Sequence, residues 1–271
     1  MVNRFARLDR SSFLIVLTLA AGLGILLLVI PTLIVLVTSF TSGYSLKFPP
    51  PGYSVRWYEA LFQDSPEIID AFLLSLRLAV TATLIATVLA ILAALALARN
   101  KSHWAKLLDS VLMSPLMLPS LALGLGILML FNMLGQGLSF QTLVIGHVAI
   151  CSPYILRTAS ASYSQLDPAL LDCSHSLGAS GWFTFRRIEL PALLPGIATG
   201  AFISFMASLD NVALSLFLSD ARSEVLPIRL WHIIEDSLDV RAAAASGVLI
   251  GSTLILMLVM EKIAGLSKHM K

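Results

Sequence analysis

Residues 69–98 read IDAFLLSLRLAVTATLIATVLAILAALALA, with no charged residue between Arg77 and Arg99. Crossing the hydrocarbon core of a bilayer, roughly 30 Å thick, takes about 20 mainly apolar residues in a helix. A helix qualifies because it satisfies its own backbone N–H and C=O groups where no water can reach them. The stretch predicts a membrane-spanning helix, and it sets the scale for the rest of the chain.

Working outward, five further apolar runs stand at residues 13–38, 107–131, 141–162, 193–217 and 242–265. The first follows Arg4, Arg7 and Arg10, as the core of a signal peptide would. Its apolar stretch continues through Pro31 to Phe40, however, and no small-residue cleavage pattern closes it, so a retained helix is expected. Composition agrees: 57% of the 271 residues are hydrophobic and 13% are charged, against about 25% charged in soluble domains. The net charge of +2 is too small to point to nucleic acid. Cys151 and Cys173 fit neither a disulfide framework nor a zinc site. The expected fold is an all-α membrane protein, residues 1–271 forming one domain of six transmembrane helices embedded in lipid.

Six spans put both termini on one side, and basic residues choose the side. With the termini inside, the inner face holds Arg4, Arg7, Arg10, Arg99, Lys101, Lys106, Arg157, Arg186, Arg187, Lys262, Lys268 and Lys271, twelve of the 18. Lys47, Arg56, Arg77, Arg222, Arg229 and Arg241 are left outside. The bias predicts cytoplasmic N- and C-termini. Two outer stretches have helical apolar spacing: Trp57, Tyr58, Leu61 and Phe62, then Leu226, Leu230, Ile233 and Ile234.

The longest inner loop, residues 167–191, does not read as a plain connector. Asp167 and Pro168 are a helix start, an oxygen for the cap followed by a proline in the first turn. Gly178 is a helix stop. A second short stretch, 182–187, leads to Ile188, Glu189, Leu190 and Pro191. Two short elements held near the membrane would make a stiff knob. From the residues alone, this is either an ordinary ordered loop or a surface that receives a push from a partner.

Over residues 171–196, LDCSHSLGASGWFTFRRIELPALLPG resembles the EAA loop of ABC-importer inner-membrane permeases of the MetI-like fold. The family pattern is Glu-Ala-Ala, three residues, Gly, nine residues, Ile, one residue, Leu-Pro. Gly178, Ile188, Leu190 and Pro191 stand at matching positions, and Phe185 fits. Asp172, Cys173 and Ser174 occupy the opening; Asp172 keeps the carboxylate, and the other two stay small. The chain looks most like the spermidine/putrescine (PotC-type) branch, with Ser208-Leu209-Asp210-Asn211 near the end of the fifth run, Asn211 replacing a second acid.

That resemblance implies a type I ABC importer transmembrane domain in the bacterial inner membrane, importing a polyamine or a related amine. Two permeases, here different chains, form the pore, and a solute-binding protein delivers substrate to the outer face. A cytoplasmic coupling helix between helices 4 and 5 docks on an ATPase dimer through Asp172, Cys173, Ser174, Gly178, Ala179, Phe185, Ile188, Leu190 and Pro191. The chain itself is then no enzyme and holds no cofactor: ATP and magnesium belong to the ATPase. In keeping with this, it has no Gly-x-x-x-x-Gly-Lys-Ser/Thr loop.

In the fifth run, Gly196, Gly200, Ser204 and Ser208 are spaced by four, and Asn211 and Ser215 fall in the same stripe. Such a stripe either packs helices closely or walls a translocation path. Asp210 is a carboxylate inside a span, which usually faces a cavity or a partner. Ser204, Ser208, Asp210 and Asn211 are the candidate pathway residues. His147 and Cys151 lie one turn apart on the fourth run, a pair that suits helix contact better than a metal site. Three other readings stay open: an importer of an aminophosphonate or amino-acid derivative, an ion-coupled secondary transporter, and a membrane-embedded enzyme. Against the last two, the chain shows neither an internal repeat nor a cluster of titratable groups within the spans.

Overall fold

The computed structural model describes residues 2–100, 102–220 and 223–264. Lys101, Arg222, Lys268 and Lys271, counted above for orientation, lie outside the described residues, as do the side chains of Arg4, Arg7 and Arg10. The elements in chain order are α1 (Val2–Ser39), α2 (Arg56–Gln63), α3 (Pro66–Arg99), α4 (His103–Met113), a 3-10 turn (Ser114–Leu116), α5 (Ser120–Met133) and α6 (Phe140–Ser164). There follow α7 (Pro168–Ser176), α8 (Gly181–Thr184), a π-helical turn (Phe185–Glu189), α9 (Leu190–Leu209), α10 (Val212–Leu218), α11 (Leu226–Ser237) and α12 (Val240–Ala264). Among the described residues the fold is helical, with one isolated β-bridge between Thr41 and Tyr53.

Five helices are long and apolar enough to cross a membrane: Phe13–Ser39, Pro66–Arg99, Phe140–Ser164, Gly181–Leu209 and Val240–Lys262. A sixth span exists if α4 and α5 together count as one, because the chain bends by 105° between them. The sequence predicts one membrane span over 107–131; the structure breaks its helix at Pro115 and Pro119. Proline has no N–H for the helical ladder and clashes with the preceding turn. At 11 and 14 residues, α4 and α5 reach at most about 21 Å each, short of the bilayer core.

Chain contacts divide the molecule into two compact units, Met1–Pro66 with Ile233–Thr253, and Glu67–His232 with Leu254–Lys271. In the first unit, Thr38, Ser39 and Thr41 are buried. Ser39 and the Tyr58 hydroxyl lie 2.7 Å apart, which pins α2 to the end of α1. The Arg56 guanidinium donates to the carbonyls of Ser42 and Gly43 and stands over the rings of Tyr44 and Trp57. The apolar side chains along Phe13–Leu33 are exposed, the arrangement a lipid solvent favours and water does not.

The second unit is built on α3, α6 and α9. Ala82, Ala86, Ala90 and Ala94 of α3 are buried, while Leu84, Val88 and Leu92 on its other side are exposed. Small residues inward and large ones outward are the pattern of a spanning helix, whose neighbours must approach closely. Ser139 and Thr142 form a reciprocal capping box that starts α6. Leu143, Ile155, Leu193 and Leu214 lie in one buried core drawn from α6, α9 and α10.

Candidate functional site

The 167–191 loop folds into the knob expected from its cap signals. Asp167 Oδ1 accepts the Ala169 N–H at 2.9 Å and starts α7. Gly178 ends it at φ +76°, with Gly178 N–H donating to His175 and Ala179 N–H to Ser174. This double bond is the Schellman stop, and its left-handed residue costs glycine nothing. Ser180 then caps α8. The two short helices are tied by a buried hydrogen bond of 2.7 Å between Ser174 Oγ and Thr184 Oγ1. Trp182 and Phe185 stack 5.5 Å apart.

Asp172, Cys173 and Gly178 are exposed, Ser174 is buried, and Ala179, Phe185, Ile188 and Leu190 are half-buried. Leu177, Trp182 and Phe183 add exposed apolar surface beside them. A π-helical turn carries α8 directly into α9. Pro191 sits in the first turn of α9, where a missing N–H is tolerated once the ladder has shifted register.

The residues alone assign no role to Glu189, the last residue of that π turn. It is buried, 1% exposed. A single guanidinium nitrogen of Arg99, at the end of α3, sits 2.6 and 2.8 Å from its two carboxylate oxygens. The Tyr163 hydroxyl, near the end of α6, donates to the same carboxylate at 3.2 Å. A lone Glu between Ile188 and Leu190 was the only available signal, and its partner is 90 positions away.

The second region is the end of the fifth span. The sequence predicts a continuous helix over 193–217, but α9 ends at Leu209 and α10 starts at Val212. Asn211 makes the break by capping α10: its Oδ1 accepts the Leu214 N–H at 2.8 Å. An Asn ahead of an apolar helix is a cap signal, and it marks the break in the sequence. Asp210 closes α9 and is exposed. Among the described residues, no basic side chain forms an ion pair with it.

The small stripe of α9 faces α6. A side chain at Gly196 would meet Ser162 and the Thr158 carbonyl; one at Gly200 would meet Thr158 and the Ile155 backbone. Ser204 Oγ donates to the Cys151 carbonyl at 2.9 Å, and the Cys151 thiol donates back to Ser204 at 3.3 Å. Ser208 hydrogen-bonds His147. Ser204 and Ser208 are thus buried and occupied with α6, which accounts for their size and polarity by helix contact. His147 and Cys151 serve the same contact, and no group of three metal-ligating side chains occurs among the described residues. Of the four candidate pathway residues, Asp210 is the exposed one, Asn211 is half-buried, and Ser204 and Ser208 are buried.

The family described as the binding-protein-dependent transport system inner membrane component matches residues 86–264. The spermidine/putrescine transport system permease protein PotC of Haemophilus influenzae is 31% identical over 89% of this chain and 93% of its own. The putative 2-aminoethylphosphonate transport system permease protein PhnV of Salmonella typhimurium is 26% identical over 90% and 92%. Among solved structures, a chain of a bacterial ABC transporter that imports the acidic polysaccharide alginate superposes with a TM-score of 0.78. It is 18% identical, covering 96% of this chain and 97% of that one.

Proposed function

The chain belongs to the inner membrane components of binding-protein-dependent transport systems, a multi-pass permease subunit of an ABC importer, and from this premise we propose that it moves a polyamine inward. The observation that carries the substrate is the Asp210 carboxylate, exposed at the break of the fifth span and, among the described residues, without an ion-paired cation. A primary ammonium is the natural partner for such a group. The PotC name on a relative 31% identical supports the same class. Asn211, beside it, offers a neutral amide rather than a second charge.

In this proposal residues 1–271 act as one permease domain, with both termini cytoplasmic. The chain forms the pore with a second, different permease, surrounded by lipid. A periplasmic solute-binding protein delivers substrate; the family description and a neighbour solved in complex with its periplasmic protein support that partner. The 167–191 knob docks on an ATPase dimer, which binds ATP and magnesium. Asp172, Cys173, Gly178 and Ala179 form the contact, and Ser174 stiffens it. Phe185, Ile188, Leu190 and Pro191 join the knob to α9.

A second reading, import of an aminophosphonate, is favoured by the PhnV relative. Its ammonium would suit Asp210 equally, whereas its phosphonate would need a basic group elsewhere on the path. One experiment separates the two. The assembled complex in proteoliposomes is offered labelled spermidine, putrescine or 2-aminoethylphosphonate through the cognate receptor. ATP-dependent uptake of a polyamine is expected; uptake of aminophosphonate alone would replace it. Uptake without the ATPase would point to secondary transport.

A further inference from the structure

We propose that Glu189, Arg99 and Tyr163 are positioning residues that carry movement of the 167–191 knob into α3 and α6. The proposal rests on the reading that this knob receives the ATPase. It adds the route by which the movement leaves the knob.

Each link of that route is a specific contact. Ser174 Oγ and Thr184 Oγ1 join α7 to α8 at 2.7 Å. Helix α8 runs without interruption through the π turn to Glu189. Glu189 then reaches Arg99 at the end of α3 and Tyr163 near the end of α6. Three elements far apart in sequence therefore end on one carboxylate.

The character of the contact matters. Apolar surfaces slide past one another with little change in energy, because the hydrophobic effect has no direction. A buried carboxylate cannot slide. Taken from water, it is costly unless paired in good geometry, so it holds its partners in one register. Arg99 is 56% exposed at its side chain against 2% for Glu189, so the anchor belongs to the knob side and the responding arm to α3. A π turn is a rare widening of the helix that occurs frequently at functional sites, and here it sets Glu189 at the junction.

The test uses the whole complex in proteoliposomes and reads ATP hydrolysed per labelled spermidine imported. Variants are Glu189→Gln, Arg99→Gln and the double change, which leaves no charge buried. Each is expected to keep ATP hydrolysis within about twofold of the parent and to lower uptake about tenfold, and the double variant should lose no more than either single one, as one broken link allows. Arg99→Lys, which keeps the charge, should recover most of the uptake. Where Glu189→Gln fails to assemble, Tyr163→Phe and Arg99→Gln carry the measurement, since both residues lie partly in the open. An unchanged ATP-to-substrate ratio in the assembled variants overturns the proposal, and so do additive losses. Import by the unaltered complex that proceeds equally well without the ATPase refutes the docking reading itself, and the route falls with it.

Discussion

His147 Nδ1 on α6 and Ser208 Oγ on α9 stand 2.7 Å apart, and the opposite ring nitrogen of the same imidazole lies 3.1 Å from Ser215 Oγ on α10. One fully buried ring thus holds both sides of the break that presents Asp210. Interhelical hydrogen bonds in membranes average about 0.6 kcal/mol each. The space left by the ring adds more, as does any hydroxyl left without a partner. His147→Ala is expected to destabilise the purified protein by about 2 kcal/mol. His147→Gln, which can still bond one serine, should lose less. Thermal unfolding in detergent checks the order, and equal melting of all three proteins would contradict it.

Gly200 lets α6 and α9 touch at backbone distance. A Cβ there would lie 2.7 Å from Ile155 Cα, and backbone cannot give way as a side chain can. Gly200→Ala should cost about 1–3 kcal/mol through overpacking, and Gly200→Leu should prevent assembly. Gly126 on α5 is the control, with nothing within 4 Å of its added Cβ; Gly126→Ala should leave yield and melting unchanged.

Much of this architecture is legible in the residues. Apolar runs mark the spans because a bilayer imposes both length and composition. Asp167, Pro168 and Gly178 mark the knob because caps are local chemistry. The bend at Pro115 and Pro119 escapes average hydropathy, which carries no direction, although the two prolines mark it. The break at Asn211 escapes it for the same reason: an apolar run on either side masks a cap. The Arg99–Glu189 pair could not be read at all, since nothing local ties residues that distant. The spacing of Gly196, Gly200, Ser204 and Ser208 left helix contact and pore wall open, and only the neighbouring α6 side chains distinguish them.

Gly178 separates the shape of the knob from its mere presence. Its φ of +76° excludes proline, whose ring fixes φ near −65°, but suits asparagine, which visits that region most readily among the other residues. Gly178→Pro should leave the complex assembled, with ATP hydrolysis no longer linked to import. Gly178→Asn should stay close to the parent. A bulky charge at Ala179 should resemble the proline variant by blocking the docking face. The measurement is the ATP-to-substrate ratio, and coupling that survives Gly178→Pro would separate the knob from the motor.

Asp210 decides the substrate. Its carboxylate sits at the end of α9 while its backbone N–H still bonds Met206, so Asp210→Asn alters charge and leaves the helix end in place. The residue is exposed and forms no ion pair among the described residues, so the loss leaves no partner stranded, and melting should hold within about 0.5 kcal/mol, as for a surface change. A charge-assisted hydrogen bond to an ammonium is worth about 1.5–3 kcal/mol, so half-saturation for a polyamine should rise about tenfold or more. Asp210→Glu keeps the charge on a longer arm and should fall between. A neutral solute carried by the same complex would be indifferent to all three side chains. Uptake kinetics for spermidine in the asparagine variant that match the parent would place the cation's path elsewhere on the permease.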